Sequence, residues 1–449
     1  MRAGRWRRAD GGGTQDRAAT GCGLLPGAIR RLWLLCLLPV AVCPLACQTP
    51  PKVRQAQVGV SAFMVGEFGA AADQLRPLAE QTDENFVLNN CRLGSAALAR
   101  YDLGEAEAAF LKAWEVMNSV GVNDGGRSLG AVLVDEKIRI WKGEPFERAM
   151  ASFYLGLVYY MRQDYANARG AFENALFKLR DAADKDDARD DYRNLEQQFP
   201  LAAIMLGRCW QRLGRADLAE ANFARVRDLR PDLGYLADPA RNSEANVVLV
   251  IDFGRGPLKV TDFDGSILGF APKPQEVGGI PRPIVTINGQ RVSTDDVAEP
   301  PVDLLALAQD RSWQSIDTIR LTKSVLGTGL IAGGAGYGIY KAGSRDGISG
   351  EDAAISAGLI AAGLLLKATS QADVRQWEML PRTTFVVPLK LPPGEHEITV
   401  DFPGARNLRQ TWRGLRAPET GDATYYFRIQ RFNSGPFDWP ADRMPPTGR

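Results

Sequence analysis

The amino-acid sequence predicts an α+β protein of more than one domain, in which an N-terminal helical solenoid precedes a small antiparallel β-sandwich-like domain. A spacing of Gly, Ala and a large apolar residue recurs four times before residue 231, which indicates the solenoid. Strand-like runs after residue 245 indicate the β domain, and a Gly/Ala-rich stretch between them indicates a helical hairpin insertion. A chain of 449 residues is long enough for two or three domains.

Each of the four repeats has a Gly, an Ala twelve positions later and a large apolar residue four positions after that. The four sets are Gly59-Ala71-Leu75, Gly94-Ala106-Phe110, Gly156-Ala168-Phe172 and Gly207-Ala219-Phe223. A small residue lets two helices approach closely, and the large residue fills the space beside that contact. The spacing matches the tetratricopeptide repeat, whose helix pairs bury their apolar faces only by stacking on one another.

The repeats are not in tandem, because the intervals between their glycines are longer than the roughly 34 residues of a regular array. We therefore predict a helical repeat domain over 47–231 with insertions at 118–147 and 181–198. The second insertion is highly charged, which is typical of a solvated helix extension or loop.

The N-terminus has the features of a secretory signal. Arg30 and Arg31 precede an apolar run that ends at Cys47, and small residues stand before this cysteine. We predict that residues 1–46 are a signal peptide with an over-long start, and that Cys47 is the site of lipid attachment in a lipobox-like Leu-Ala-Cys. Pro44 departs from the usual lipobox, so secretion without lipid and an uncleaved anchor stay open as alternatives. An anchor is disfavoured because the run is shorter than the ~20 residues of a membrane span.

The charge balance of the mature chain argues against nucleic acid as a partner. Removing residues 1–46 takes away seven Arg and two Asp and leaves 47 basic and 51 acidic side chains, a net charge of −4. Two of the six cysteines, Cys91 and Cys209, lie outside the signal region on predicted helices. They are expected to be small buried residues without a disulfide.

The β domain is predicted over 246–433, after a linker at 232–245 and before a Pro-rich tail at 434–449. A buried strand covers 247–253, a second begins at 258, and a third at 284–287 runs into the Asn288-Gly289 turn. The runs 384–391 and 396–402 flank Pro-Pro-Gly and predict a hairpin, and 424–429 is the last strand.

A helical insertion is predicted at about 302–370. Its two Gly/Ala-rich runs permit close helix contact, and each is shorter than a membrane span. A hairpin packed on the β domain is the first interpretation, and a membrane-dipping or pore-associated segment and disorder are the others. Gly327, Gly329 and Ala332 fit a dinucleotide-binding turn, but the βαβ context that this turn needs is missing from the pattern.

Residues that carry chemistry are sparse, so the sequence predicts no cofactor, no metal site and no enzyme. The single histidine, His396, is expected to be a solvent-facing strand residue. Asp262, Asp264 and Gly265 begin like a calcium loop, yet the closing acidic residue is absent, and a turn is the better interpretation.

The first helix of each repeat should line a concave groove, and this groove is the predicted partner site. Its residues are apolar except in the last repeat. The predicted groove residues are Leu88, Met150, Phe153, Leu157, Tyr160, Leu201, Ile204, Arg208 and Arg212. Two alternatives stay open: the protein's own insertion or β domain fills the groove, or an apolar segment of a partner does.

The assembled features resemble a family of uncharacterised bacterial envelope lipoproteins with tetratricopeptide-like repeats and a β-rich C-terminal region. The resemblance covers most of the mature chain and is carried by residues 142–148 leading into 153–156, by 252–259 and by 372–381. It implies a cell-envelope lipoprotein and supplies no activity. In these stretches Glu144, Glu147 and Arg148 are expected to cap or pair at a helix start. Asp373, Arg375 and Trp377 are expected to fix a loop against the β domain.

The predicted function is a non-enzymatic scaffold that binds a protein partner in the cell envelope. The chain should be secreted across the inner membrane and held by its lipid, facing the periplasm. Gln48 after Cys47 favours the outer membrane. A membrane-inserting or pore-associated component and an envelope enzyme with a site between the two domains are the rival functions. The oligomeric state is left open.

Overall fold

Helix pairs form the N-terminal part of the structure. The computed structural model describes residues 50–119, 140–181, 190–262, 267–273, 280–292, 300–310, 375–403, 409–429 and 437–438. Four pairs of consecutive helices correspond to the four predicted repeats, and the two helices of each pair pack against each other. They are α1 (Pro51–Met64) with α2 (Phe68–Ala79), α3 (Phe86–Ala99) with α4 (Leu103–Asn118), α5 (Pro145–Met161) with α6 (Tyr165–Arg180), and α8 (Leu201–Arg212) with α9 (Ala216–Leu229).

Each pair is closed by the contact that the sequence spacing predicts. A Cβ atom added to Gly94, Gly156 or Gly207 would lie 2.6–2.7 Å from the ring of the phenylalanine sixteen positions later. In the first pair Leu75 takes the place of this ring, 2.8 Å from a Cβ added to Gly59. Real Cβ atoms do not approach so closely, so the glycines let the helices pack on these side chains.

The turn inside each pair repeats as well. Seven positions after each of these glycines a residue has a positive φ: Gly66 (89°), Tyr101 (64°), Gln163 (60°) and Gly214 (73°). A residue in this left-handed region ends the first helix and lets the second helix fold back. The first and last pairs use glycine, whereas the two middle pairs place a large side chain in a conformation that costs free energy.

The segment 181–198, predicted to be solvated, and the predicted linker 232–245 both pack onto the protein. In the segment 181–198, α7 (Asp190–Gln198) buries Leu195 and Glu196. In the predicted linker 232–245, α10 (Pro239–Glu244) follows a short 3-10 turn, and Leu233 and Leu236 are fully buried. The charged composition was misleading because a few apolar residues are enough to dock a short helix. The first insertion is shorter than predicted, because residues 145–147 belong to α5.

The C-terminal part contains two larger sheets and a two-stranded one. The strands are β1 (Val247–Phe253), β2 (Leu258–Asp262), β3 (Ile267–Ala271), β4 (Ile284–Ile287), β5 (Gln290–Arg291), β6 (Val302–Asp303), β7 (Thr383–Leu389), β8 (Gly394–Asp401), β9 (Gln410–Ala417), β10 (Ala423–Ile429) and β11 (Phe437–Asp438). One sheet has the order β10-β1-β7-β6, the second has the order β11-β9-β8-β4-β5, and β2 pairs with β3. β1 and β10 are parallel, and so are β9 and β11, so the sheets are mixed and not purely antiparallel.

The strands of the β domain are confirmed where the sequence predicts them, but one predicted pairing is wrong. β7 and β8 do not form a hairpin: β7 pairs with β1 and β6, and β8 pairs with β4 and β9 in the other sheet. Every residue of β7 is buried, as is usual for a central strand, so the Pro-Pro-Gly segment crosses between sheets. Asn246 braces this crossing by donating to the Leu391 carbonyl (2.8 Å) and accepting from its N–H (2.8 Å).

Two further segment boundaries in the structure differ from the predicted ones. Val302 and Asp303 pair with β7, and the short helix α11 (Leu304–Ala308) follows, so the predicted insertion starts later than 302. Residues 437–438, in the predicted tail, pair with β9. The signal peptide, the lipid-attachment residue Cys47 and the Gly/Ala-rich runs between 311 and 374 lie outside the described residues.

The helical and β parts are not separate bodies. Residues 51–449 cluster as one compact unit, and buried residues of helices and strands form one apolar core. β10 packs against α3 and α5. The protein therefore has an α+β fold, in which a helical region precedes the strands and the two regions share one core.

Candidate functional site

The predicted groove residues are covered in this structure. Apart from Arg212, which is half-buried, every residue predicted for the groove has at most 1% of its surface exposed. The polar groove residues show which segment buries part of the groove. Tyr160, Arg208 and Arg212 all contact Asp422, which lies directly before β10. At the last helix pairs the β domain therefore covers the predicted groove residues, as one of the two alternatives expects.

Asp422 is the centre of a buried polar cluster between the last helix pairs and β10. One carboxylate oxygen accepts from Tyr160 Oη (2.8 Å) and from the Arg208 guanidinium (2.8 Å), and the other accepts from Tyr165 Oη (2.9 Å). Burial alone would raise the pKa of Asp422, but the charges of Arg208 and Arg212 and these hydrogen bonds outweigh it and hold the pKa below its ordinary value. In this cluster one buried carboxylate is paired with two guanidinium groups.

A second buried acid, Asp252, stands in the middle of the apolar strand β1. It accepts hydrogen bonds from Tyr154 Oη (2.5 Å), Tyr426 Oη (2.8 Å) and Thr384 Oγ1 (2.5 Å). Burial raises the pKa of Asp252, and the charge of Arg428 opposes this only in part. Tyr154 belongs to α5 and Tyr426 to β10, so this acid also joins the helices to the sheet.

The loop before β7 is fixed on the β domain, as expected, and also on the helices. On the β side, the N–H of Lys259 donates to Gln376 (2.7 Å) and Lys259 Nζ donates to the carbonyl of Arg375 (2.7 Å).

The side chains of Arg375 and Trp377, in contrast, bind to the helical part. The Trp377 N–H donates to Glu147 (2.7 Å), and its indole N–H donates to Ser95 Oγ on α3 (3.1 Å). Arg375 donates to the carbonyl of Glu84 (2.7 Å). Glu147 also accepts from the N–H of Glu144 (2.7 Å), which confirms its expected role at the start of α5.

A cleft stays open beside the first two helix pairs, and we define it as the first-repeat cleft. It has a volume of about 590 Å³ and lies between α1, α3 and the loop at 375–378. Its walls combine apolar, amide and charged side chains. The lining residues are Lys52, Val53, Ala56, Gln57, Val60, Ser61, Asp83, Asn85, Leu88, Asn89, Arg92, Arg375, Gln376 and Glu378. Of the predicted groove residues, Leu88 is the one that reaches this cleft.

The charges of the first-repeat cleft are paired across its walls. Arg92 on α3 donates two hydrogen bonds to the two carboxylate oxygens of Glu378 (2.9 and 2.6 Å), a bidentate pair that fixes both side chains. Lys52 Nζ lies 3.1 Å from Asp83 Oδ2. Both acids of the cleft are therefore ion-paired, and the apolar wall of Val53, Ala56 and Val60 faces them across the opening.

A second cleft, of about 700 Å³, lies beside the turn after β4 and contains His396. Its position corrects the prediction of a solvent-facing histidine, because only 8% of its surface is exposed. His396 Nδ1 lies 2.9 Å from Asn288 Nδ2, and Nε2 lies 2.8 Å from the carbonyl of Pro392. Nδ1 must accept from the amide and Nε2 must donate to the carbonyl, so both ring nitrogens hold turns together.

Sequence reasoning missed the residues that organise the interior of the molecule. Asp252, Asp422 and Glu378 were not singled out, and Trp377 was assigned to the wrong partner. A lone acid inside the apolar run 247–253 was a usable signal, since a buried carboxylate needs polar partners. Glu378 and Asp422 lie in loops, and their partners are more than 200 residues away in sequence, so no local pattern marks them.

The described part of the chain holds no helix that is both long and apolar enough to cross a membrane. Within those same residues, no group of three or more His, Cys, Asp or Glu is placed to hold a metal ion. Comparison with the models of known protein families and with curated proteins finds no match to this sequence.

Proposed function

We propose that this protein is a non-enzymatic scaffold of the cell envelope that binds an extended segment of a protein partner in the first-repeat cleft. The observation that carries the proposal is the cleft itself, which stays open beside α1 and α3 while the residues predicted for the groove, apart from Arg212, are buried. The site of the original prediction thereby moves from the middle of the helical region to its N-terminal end.

The four helix pairs are proposed to be tetratricopeptide-like repeats. The shared contact between the glycine of the first helix and the large side chain of the second supports this. So does the positive φ seven positions after each glycine. In such an array the first helices of successive pairs stand side by side, which gives α1 and α3 as the walls of one groove.

The lining suits a polypeptide main chain. Amide side chains both donate and accept hydrogen bonds, and Gln57, Asn85, Asn89 and Gln376 line the cleft. Asn85, Asn89 and Gln376 already bond within the protein, so Gln57 is the amide that we propose for the partner's main chain. Val53, Ala56 and Val60 supply an apolar wall for alternate side chains of an extended segment. The fixed pair of Arg92 and Glu378 gives the cleft a rigid floor, which lowers the entropic cost of binding.

Binding is favoured over catalysis because the acids of the cleft are already engaged. Glu378 is held by Arg92 in a bidentate pair, and Asp83 is paired with Lys52. The enzyme and pore alternatives stay secondary, since the pore alternative rests on runs outside the described residues.

The scaffold is proposed to be anchored by lipid on Cys47, facing the periplasm and favouring the outer membrane. This part rests on the signal-like residues before Cys47 and on Gln48 after it. Cys47→Ala tests it: the variant should leave the membrane fraction on a carbonate wash while the wild type stays. A variant that stays on the membrane would contradict lipid anchoring.

The cleft is tested by photo-cross-linking in cells. A photoreactive amino acid at Val53, which is 43% exposed in the cleft, should yield an adduct with a discrete protein, and Gln57→Trp, which fills the cleft, should abolish it. The control places the same group at Phe177, which is 52% exposed on α6, where no such adduct is expected. An adduct at Val53 that survives Gln57→Trp would overturn the assignment.

A further inference from the structure

The first helix carries an unusual share of exposed apolar side chains. Within the described residues six large apolar side chains are exposed, and three of them are Val53, Val58 and Val65, on or directly after α1. The other three, Phe177, Leu213 and Val260, are scattered through the chain. Single exposed apolar residues are ordinary, whereas a cluster at one end of a molecule indicates a surface that something covers.

These residues occupy two different faces of α1. Val53 lines the first-repeat cleft, whereas Arg54, Val58 and Val65 follow one another at intervals of four and seven and form a second exposed face. Ser61 lies between the two faces and lines the cleft. We call the second face the outer face of α1. Val58 is 51% and Val65 is 48% exposed there.

The outer face of α1 carries exposed valines, whereas the end of a helical array in water needs a polar surface. Terminal repeats usually present a polar surface because they have no further neighbour to pack on. α1 instead presents valines with Arg54 on the same face, and it contains no acidic residue along its length. Lys52, the other cation of its first turn, lines the cleft and pairs with Asp83. Apolar side chains next to a cation suit an anionic lipid surface.

The position of α1 in the chain brings it close to such a surface. Only residues 48–50 separate Cys47 from Pro51, so the two Cα atoms can lie at most about 14 Å apart when the chain is fully extended. This step rests on the proposed lipid attachment at Cys47. A lipid there would hold the first turn of α1 within reach of the headgroups, at a high local concentration.

We propose that the outer face of α1 lies on the membrane and contacts anionic phospholipid headgroups through Arg54, with Val58 and Val65 inserted at the headgroup boundary. The occupant of this face is the bilayer, not a protein. The cleft on the other side of the same helix then opens beside the membrane surface. A partner segment that binds in the cleft must therefore lie close to the membrane surface, such as the membrane-proximal part of a membrane protein.

The test uses the chain from Gln48 onward, which contains the whole compact unit 51–449. A hexahistidine tag before Gln48 holds it on vesicles with nickel-chelating lipid, so the lipid on Cys47 is not needed. Val58→Cys carries an environment-sensitive fluorophore. Cys91 and Cys209 are buried, which leaves this thiol as the reactive one among the described residues. Phe177→Cys, exposed on α6, carries the same label as the control.

On vesicles that contain phosphatidylglycerol, the emission of the label at position 58 should shift to the blue and be quenched by spin-labelled lipid. The label at position 177 should do neither. Arg54→Glu should reduce the quenching at position 58 several-fold. An unshifted and unquenched label at position 58 on the tethered chain would overturn the proposal and leave the outer face for a protein partner. Equal quenching at both positions would also overturn it, as non-specific adsorption. Because the tag supplies the tether, neither result depends on lipidation at Cys47.

Discussion

Individual residues join the helical and β parts of this molecule. Tyr101 shows how: its hydroxyl donates to the carbonyl of Tyr426 (2.6 Å) and accepts from the N–H of the same residue (2.6 Å). Tyr426 lies on β10, an edge strand whose main chain would otherwise be open to pairing. Gln163, at the equivalent position of the next helix pair, donates to the carbonyl of Asp422. These two side chains explain why the left-handed conformation is retained there without glycine.

Asp422 provides the sharpest test at this scale. Asp422→Ala should lower the free energy of unfolding by about 3–5 kcal/mol, because it leaves the buried Arg208 guanidinium without its counter-charge. Chemical denaturation measures the loss. The matched control is Glu395→Ala, which removes an acid from the exposed pair with Arg416 and should cost about 1 kcal/mol or less. Equal effects of the two variants would show that the buried cluster is not an energetic link.

The acid dependence of stability should change in the same variant. The folded pKa of Asp422 lies below its ordinary value, so the unfolded state binds its proton first as the pH falls. The stabilisation is therefore present above the unfolded-state pKa and is lost as the pH drops through the folded one. Asp422→Ala lacks this contribution, so its stability should fall less steeply with acidification below about pH 4 than that of the wild type.

At the scale of elements, the repeated helix pairs depend on one contact. The glycine spacing is informative because it records the point where two helices come closest, and the ring of Phe172 fills that point in the third pair. The connections between pairs are less predictable, since charged sequences such as 181–198 also contain the few apolar residues that dock a helix.

Gly156→Ala should destabilise the protein by about 1–2 kcal/mol, because its Cβ would lie 2.7 Å from the Phe172 ring and the overpacking outweighs the better helix propensity. Gly170→Ala is the control on the partner helix α6, where nothing lies within 4 Å, and it should stabilise by up to about 1 kcal/mol. Adding Phe172→Leu to Gly156→Ala should recover part of the loss. Thermal unfolding of the wild type and the three variants measures these changes in stability. If Gly170→Ala destabilised the protein as much as Gly156→Ala, the contact between Gly156 and Phe172 would have no special role.

At the scale of the whole molecule, the β part completes the helical part. Polar links between Tyr154 and Asp252, Arg208 and Asp422, and Arg92 and Glu378 cross from helices to strands or to the loop before β7. The residues predicted for the groove are covered in this way, whereas the first-repeat cleft stays open. If both proposals hold, α1 presents one face to the partner segment and the other to the membrane.

The chain from Gln48 to Arg449 should therefore unfold in a single transition. Far-ultraviolet circular dichroism, which reports the helices, and tyrosine and tryptophan fluorescence, which reports the shared core, should give coincident denaturation curves. The helical segment 48–231 alone should bind a hydrophobic dye, because its concave apolar side chains lose their cover. Two separated transitions in the whole chain would instead show that the parts fold independently.

The sequence by itself determined many of the elements: the four helix pairs, six of the strands that follow them and the tight turn at Asn288-Gly289 lie where local spacing predicts. It did not mark β9 (Gln410–Ala417) or the shorter strands β3, β5, β6 and β11. Periodicity and turn chemistry act over a few residues, so a sequence displays them directly. Only the tertiary structure decided that β7 and β8 enter different sheets, that Asp252 and Asp422 anchor the interior, and that the open site is the first-repeat cleft. These outcomes depend on contacts between residues more than a hundred positions apart or on which of several compatible surfaces becomes buried, and the packing of the whole chain settles both.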